Sequence, residues 1–75
     1  MTKAETFKAK GYHVFHTGGG CQAWHTSIEG GYVLITDESG CDLPTEDDTE
    51  ILVGVYTHDG DEVKVETWPW SLFVA

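Results

Sequence analysis

Two β-branched runs, Tyr32–Thr36 (YVLIT) and Ile51–Thr57 (ILVGVYT), sit in a chain whose other strand-like runs are joined by glycine-bearing turns too short to carry the chain across a sheet. Parallel neighbours need a crossover of a dozen or more residues, so short turns force consecutive strands to run antiparallel. The runs Tyr12–His16, Cys21–Ile28, Tyr32–Asp37, Ile51–Thr57 and Glu62–Trp68 then read as a five-stranded meander. Thr17–Gly20 separates the first two, and Glu29, Gly30 and Gly31 form the next tight turn. Pro69 ends the fifth strand because it cannot donate to a ladder. The apolar tail Trp70–Ala75 reads as a return to the core and a candidate short sixth strand.

Thr2–Gly11 has a different pattern. Thr2 suits a helix N-cap with Glu5 as its capping-box partner, and Gly11 suits the position after the C-cap. Lys8 and Lys10 fall in the last turn, where the helix dipole favours cations. Ala4 and Phe7 share a face, but Lys8 interrupts the stripe, so packing of Phe7 on the sheet has to hold the helix. The fold class is α+β: a short N-terminal helix and a five-stranded antiparallel meander in one domain, residues 1–75. For the last hairpin, a three-residue loop His58–Gly60 pairs Val55 with Val63 and Val53 with Val65. That register is preferred because it gathers the β-branched residues on one face. The two-residue alternative sets Val55 against Lys64 and Val53 against Glu66.

Between the two strongest strands lies Asp37–Glu50 (DESGCDLPTEDDTE), with Asp37, Glu38, Asp42, Glu46, Asp47, Asp48 and Glu50 and no basic residue. Leu43 and Pro44 are expected to anchor it, and Thr45 to cap one turn through Glu46–Asp48. Asp59, Asp61 and Glu62 add a second acidic group around the last turn. The net charge is −9 over 75 residues, and it is unevenly placed. Lys3, Lys8 and Lys10 face only Glu5 in residues 1–10, whereas residues 11–75 hold twelve acids against Lys64. Direct binding to nucleic acid or to an anionic membrane is disfavoured, since both need basic patches. A basic partner is favoured. The loop and the last turn leave opposite ends of the fourth strand, so the acids are expected to form two patches unless Glu66 joins them across the sheet.

The remaining motifs have plainer explanations. Gly18, Gly19 and Gly20 lead into a strand without lysine or helix, so they read as a hairpin turn rather than a phosphate loop. Cys21 and His25 share a strand face but lie about 13 Å apart, too far for a nucleophile and its base. The same distance argument weakens zinc binding by Cys21, Cys41, His13, His16, His25 and His58. The acidic loop lacks the alternating carboxylates of an EF-hand. No cofactor is expected, and no catalytic group. Trp24 and Trp68 read as core, while Trp70, just past Pro69, is the tryptophan expected to stand exposed as a contact anchor.

Residues 1–15 have no continuous apolar core of a signal peptide, and no run approaches the ~20 residues of a membrane span. The expected setting is cytoplasmic with both thiols reduced, although a Cys21–Cys41 bridge is compatible with the sequence. In size, acidity and layout the chain resembles small acidic inhibitors of phages and mobile elements, of the anti-CRISPR or DNA-mimic type. That resemblance implies carboxylates standing in for phosphates in a basic groove of a nucleic-acid-binding protein. The leading reading is therefore a non-enzymatic binding module whose contacts are the carboxylates named above together with Trp70. The alternatives are a metal- or thiol-dependent protein using Cys21, Cys41 and the histidines, and a structural or subunit-bridging protein kept soluble by its acids.

Overall fold

The structure is a computed structural model that describes residues 2–75. Its elements run α1 (Lys3–Ala9), β1 (His13–Gly18), β2 (Cys21–Ile28), β3 (Gly31–Thr36), β4 (Glu50–Thr57), β5 (Glu62–Pro69) and α2 (Trp70–Val74). All neighbouring strands are antiparallel and the sheet order is β1-β2-β3-β4-β5, an α+β architecture built on a meander. Among the described residues, no helix is long and apolar enough to cross a membrane.

The first helix starts as its sequence dictates. The Thr2 hydroxyl accepts from the Glu5 amide, and the Glu5 carboxylate accepts from the Thr2 amide, closing the capping box. Gly11 adopts φ +91°, the left-handed conformation that ends a helix cheaply only in glycine. A seven-residue helix is far too short to persist alone, so tertiary contact must hold it. Phe7 supplies that contact. It is fully buried, stacked on Trp24 with ring centroids 5.0 Å apart, and flanked by Tyr12, Trp70 and Phe73. The helix buries Lys3 with Phe7, one turn apart, while Ala4 stays exposed. The expected Ala4–Phe7 stripe is replaced by a pair whose lysine holds its ammonium over the Trp70 ring.

The tail does not form a sixth strand. It folds as α2 and packs Trp70 and Phe73 onto Phe7. Pro69 still pairs with Glu50 in the last sheet position, and the next amide, of Trp70, donates to the Thr49 carbonyl at 2.8 Å. The apolar tail satisfies its backbone internally as a helix instead of pairing at a sheet edge.

The β4–β5 register also differs from the preferred one. Val53 pairs with Glu66, Val55 with Lys64 and Gly54 with Val65, and a bulge then brings Tyr56 opposite Glu62. The β-branched residues of β5 therefore do not join those of β4. On an edge strand the Val63–Val65 face need not be buried, and the turn is closed locally instead: the Asp61 carbonyl accepts from the Thr57 amide, and the Thr57 carbonyl accepts from that of Gly60. Gly31 belongs to β3 rather than to the turn before it.

One face of the sheet is covered by both helices. Trp24, Val33, Ile35, Ile51 and Val53 form its buried core with Phe7. The other face, with Phe15, His25, Tyr32, Leu34, Leu52, Tyr56 and Val65 by strand alternation, has no layer over it.

Cys21 and Cys41 are joined in a disulfide with Cα atoms 4.5 Å apart. This corrects the expectation of two reduced thiols: sequence spacing says nothing of the fold-back that brings residue 41 beside residue 21. The Cys41 carbonyl accepts from the Gln22 amide at 2.7 Å, so the acidic loop is pinned to the start of β2 by a covalent bond and a hydrogen bond. The bridge spans a sequence separation of 20, for which loop closure alone contributes roughly 3 kcal/mol. Reduction, or Cys41→Ser, is expected to lower the melting temperature by on the order of 10–20 °C in a thermal scan. A second expectation follows from Gly31, where an added Cβ would overlap the Tyr56 carbonyl oxygen of the paired strand. Gly31→Ala should cost about 2–3 kcal/mol by denaturant unfolding, since backbone rather than a flexible side chain has to move.

Candidate functional site

The acidic stretch divides between the two faces of the sheet. Its first part, Asp37–Asp42, folds back on itself, with the Asp37 amide donating to the Asp42 carbonyl at 2.8 Å. Gly40 in that part lies against Leu52 on the open face. Its second part turns toward the helices. Leu43 packs on the core, Pro44 is buried, and both Glu46 carboxylate oxygens accept from the Lys3 amide, at 3.0 and 3.4 Å. The Lys3 Nζ donates to the Glu46 carbonyl at 3.1 Å and lies 4.9 Å from the Trp70 ring centre.

Three carboxylates expected to face a partner hold backbone amides instead, two in the loop itself and one in α1. Asp37 accepts from the Ser39 amide, Glu46 covers an otherwise unpaired amide at the start of α1, and Asp48 accepts from the Thr45 amide at 2.7 Å. Asp48, rather than Thr45, is the capping side chain of that turn. Trp70 is half-buried between Phe7 and Phe73 instead of exposed, because α2 folds its ring inward. Glu38, Asp42, Asp47, Glu50, Asp59, Asp61 and Glu62 carry no side-chain hydrogen bond or ion pair among the described residues, and neither does Glu29 in the β2–β3 turn.

These uncommitted groups gather at both ends of the sheet. The β1–β2 turn and the β3–β4 loop lie at one end, the β2–β3 and β4–β5 turns at the other, separated by β4, on the order of 25 Å. Glu66 does not join the two ends. By register it shares the helical face, where Lys64 pairs with it at 3.2 Å and the Trp68 Nε1 donates to it at 3.4 Å. The Lys64 hydrogen bond, with Trp68 behind it, holds the Glu66 carboxyl below its ordinary range.

Between the two acidic ends, the open face carries a row of aromatic rings. His13 and His25 meet at 4.8 Å, Phe15 and His25 at 5.2 Å, and His25 and Tyr32 at 5.3 Å. Tyr32 and Tyr56 follow, 5.3 Å apart and nearly parallel. Tyr56 lies back over Gly54, where an added Cβ would come within 2.8 Å of its ring. Below it opens a pocket of about 180 Å³ floored by Ala23, Leu34, Leu52 and Val65. Burial raises the Tyr56 pKa above 10.0, and Glu62 and Tyr32 add to the rise. The sequence carried a signal for this face in the alternation of His13 with Phe15 and of Tyr32 with Leu34. Each residue alone reads as ordinary half-buried sheet.

The other chemistry considered from sequence does not assemble. The disulfide occupies both cysteine sulfurs, and among the described residues no three His, Cys, Asp or Glu side chains converge on a point. Gly18, Gly19 and Gly20 all have positive φ; Gly18 closes β1 opposite Cys21, and Gly19 and Gly20 make the hairpin turn.

Comparison with protein families, with curated proteins and with solved structures finds no match to this chain.

His25 gives a pH expectation. Its Nδ1 is buried without a hydrogen-bond partner among the described residues. Burial lowers its pKa below 6.5, and neighbouring His13 lowers it further, against the opposing effect of a backbone hydrogen bond. The unfolded chain therefore takes up this proton at a higher pH than the folded one. The contribution to stability is full above about 6.5 and is lost as pH falls through the lower folded value. Melting temperature should drop between pH 7 and pH 5. His25→Phe, which keeps a ring in the stack, should flatten that part of the profile.

Proposed function

We propose that this protein is a non-enzymatic binding module that occupies a basic, nucleic-acid-handling surface of a protein partner. The observation that carries the reading is the segregation of charge. Lys3 and Lys10 lie over the rings of Trp70 and Phe73 beneath the helices, Lys8 sits on α1, and Lys64 shares the helical face. The open face has no lysine, and its two ends carry uncommitted carboxylates. Such an arrangement steers a basic partner toward one side of the molecule and gives fast association that weakens with salt.

The arrangement supports a flanked face better than a continuous row of phosphate substitutes. Duplex DNA carries one charge per ~1.7 Å, whereas here the acids are grouped at two ends with aromatic and apolar surface between. An apolar centre inside a polar margin is the usual anatomy of a protein–protein interface. The resemblance to small acidic inhibitors implies competition for a groove, and the flanked face supports the same outcome by a different contact. The cytoplasmic setting expected from the sequence sits against the disulfide, since such bonds persist mainly in oxidising compartments.

The test uses carboxylates that do not hold the fold. A variant carrying Glu38→Gln, Asp42→Asn, Asp59→Asn and Asp61→Asn should keep its melting temperature within a few degrees. Wild-type protein should displace labelled nucleic acid from a partner recovered from the native source, with affinity falling at least tenfold between 50 and 300 mM salt, and the variant should lose this competition. A partner that keeps its nucleic acid when this protein binds would remove the reading.

A further inference from the structure

We infer that the pocket beneath Tyr56 on the open sheet face seats an arginine side chain of the basic partner. This deepens the reading above and rests on it.

The pocket combines three features that together select one kind of side chain. Leu34, Leu52 and Val65 give it apolar surface that suits a methylene stem, beside the hydroxyl-bearing Thr17 and Thr36. One wall is the Tyr56 ring, held over Gly54, and an aromatic face attracts a flat cation. Glu62 stands opposite Tyr56 in register, and the acidic Asp37–Asp42 segment comes to the rim through Gly40. Charge complementarity therefore asks for a cation, and the apolar floor asks for a long stem.

Arginine meets both demands better than lysine. Its guanidinium is planar, stacks on rings and is less strongly hydrated, while an ammonium is compact and holds its water. The pocket takes one side chain, not a segment, so the remaining affinity comes from other basic residues reaching the acidic ends. Val65, on edge strand β5, is 39% exposed and leaves the mouth accessible. A nucleobase could also stack on the rings, but its phosphate would meet the same carboxylates, so the protein partner is the favoured one.

The experiment compares two peptides of equal charge, one bearing four arginines and one four lysines in a Gly/Ser background, titrated at 50 mM salt and followed by amide NMR shifts and calorimetry. Wild-type protein should bind the arginine peptide about tenfold more tightly, with shifts at Gly54, Leu34 and Val65. Two variants remove the seat in different ways while leaving every carboxylate. Tyr56→Ala deletes the wall, and Val65→Phe fills the space from an exposed edge position. Each should cut the arginine advantage below twofold and leave lysine-peptide affinity unchanged. Equal binding of both peptides to wild type overturns the inference, as does an arginine preference that survives whichever variant folds. Tighter binding of a single-stranded oligonucleotide than of the arginine peptide overturns it too. Failure of both peptides to bind wild type overturns instead the basic-partner reading on which it rests.

Discussion

The structure depends on the burial of one ring. Phe7 touches Trp24 from the sheet, Tyr12 from the segment after α1, and Trp70 and Phe73 from α2. Remove it and neither helix has a reason to lie on the sheet, because each is too short to persist unsupported. Aromatic pairs of this kind add roughly 0.5–1.5 kcal/mol beyond the area they bury. In a chain of this size a single core is close to the minimum that can hold a fold, so such a cluster governs whether the helical layer exists at all.

With both helices drawn to Phe7, the other side of the sheet is left without cover. The lysines follow the helices: Lys3 and Lys10 place their charges over the same aromatic cluster, and Lys64 and Glu66 neutralise one another on the same face. Apart from Glu5 on α1 and Glu66 within β5, the acids lie in the loops and at the strand ends. One packing decision thus sorts the charges and exposes the aromatic row. The core and the proposed binding face are two outcomes of the same arrangement, separated by the thickness of one sheet.

Local signals in the sequence translated well. The Thr2–Glu5 capping box, Gly11, the meander implied by short turns and the anchoring of Leu43 and Pro44 all depend on neighbours along the chain, and all are present. Features set by distant contacts were not legible. The tail Trp70–Val74 is equally apolar as strand or helix, and only the position of Phe7 decides. Matching valines favour a different β5 register, but an edge strand loses little by leaving Val63 and Val65 outside, and Val63 is 62% exposed. The disulfide required the fold-back of Asp37–Asp42, which composition does not encode. Likewise Asp37, Glu46 and Asp48 are indistinguishable in sequence from their uncommitted neighbours, and only hydrogen-bond partners separate loop-building acids from free ones.

Tyr56 is held from two directions, its ring resting on Gly54 and its carbonyl crossing close over Gly31. Both contacts require the absence of a side chain on the partner residue. Stacked also on Tyr32, the ring has little rotamer freedom left to lose when something settles against it. Ordering a mobile side chain at an interface costs about 0.5–1.5 kcal/mol, and that cost is here largely met during folding. Two glycines that weaken their strands slightly thus give the open face a wall that is already ordered.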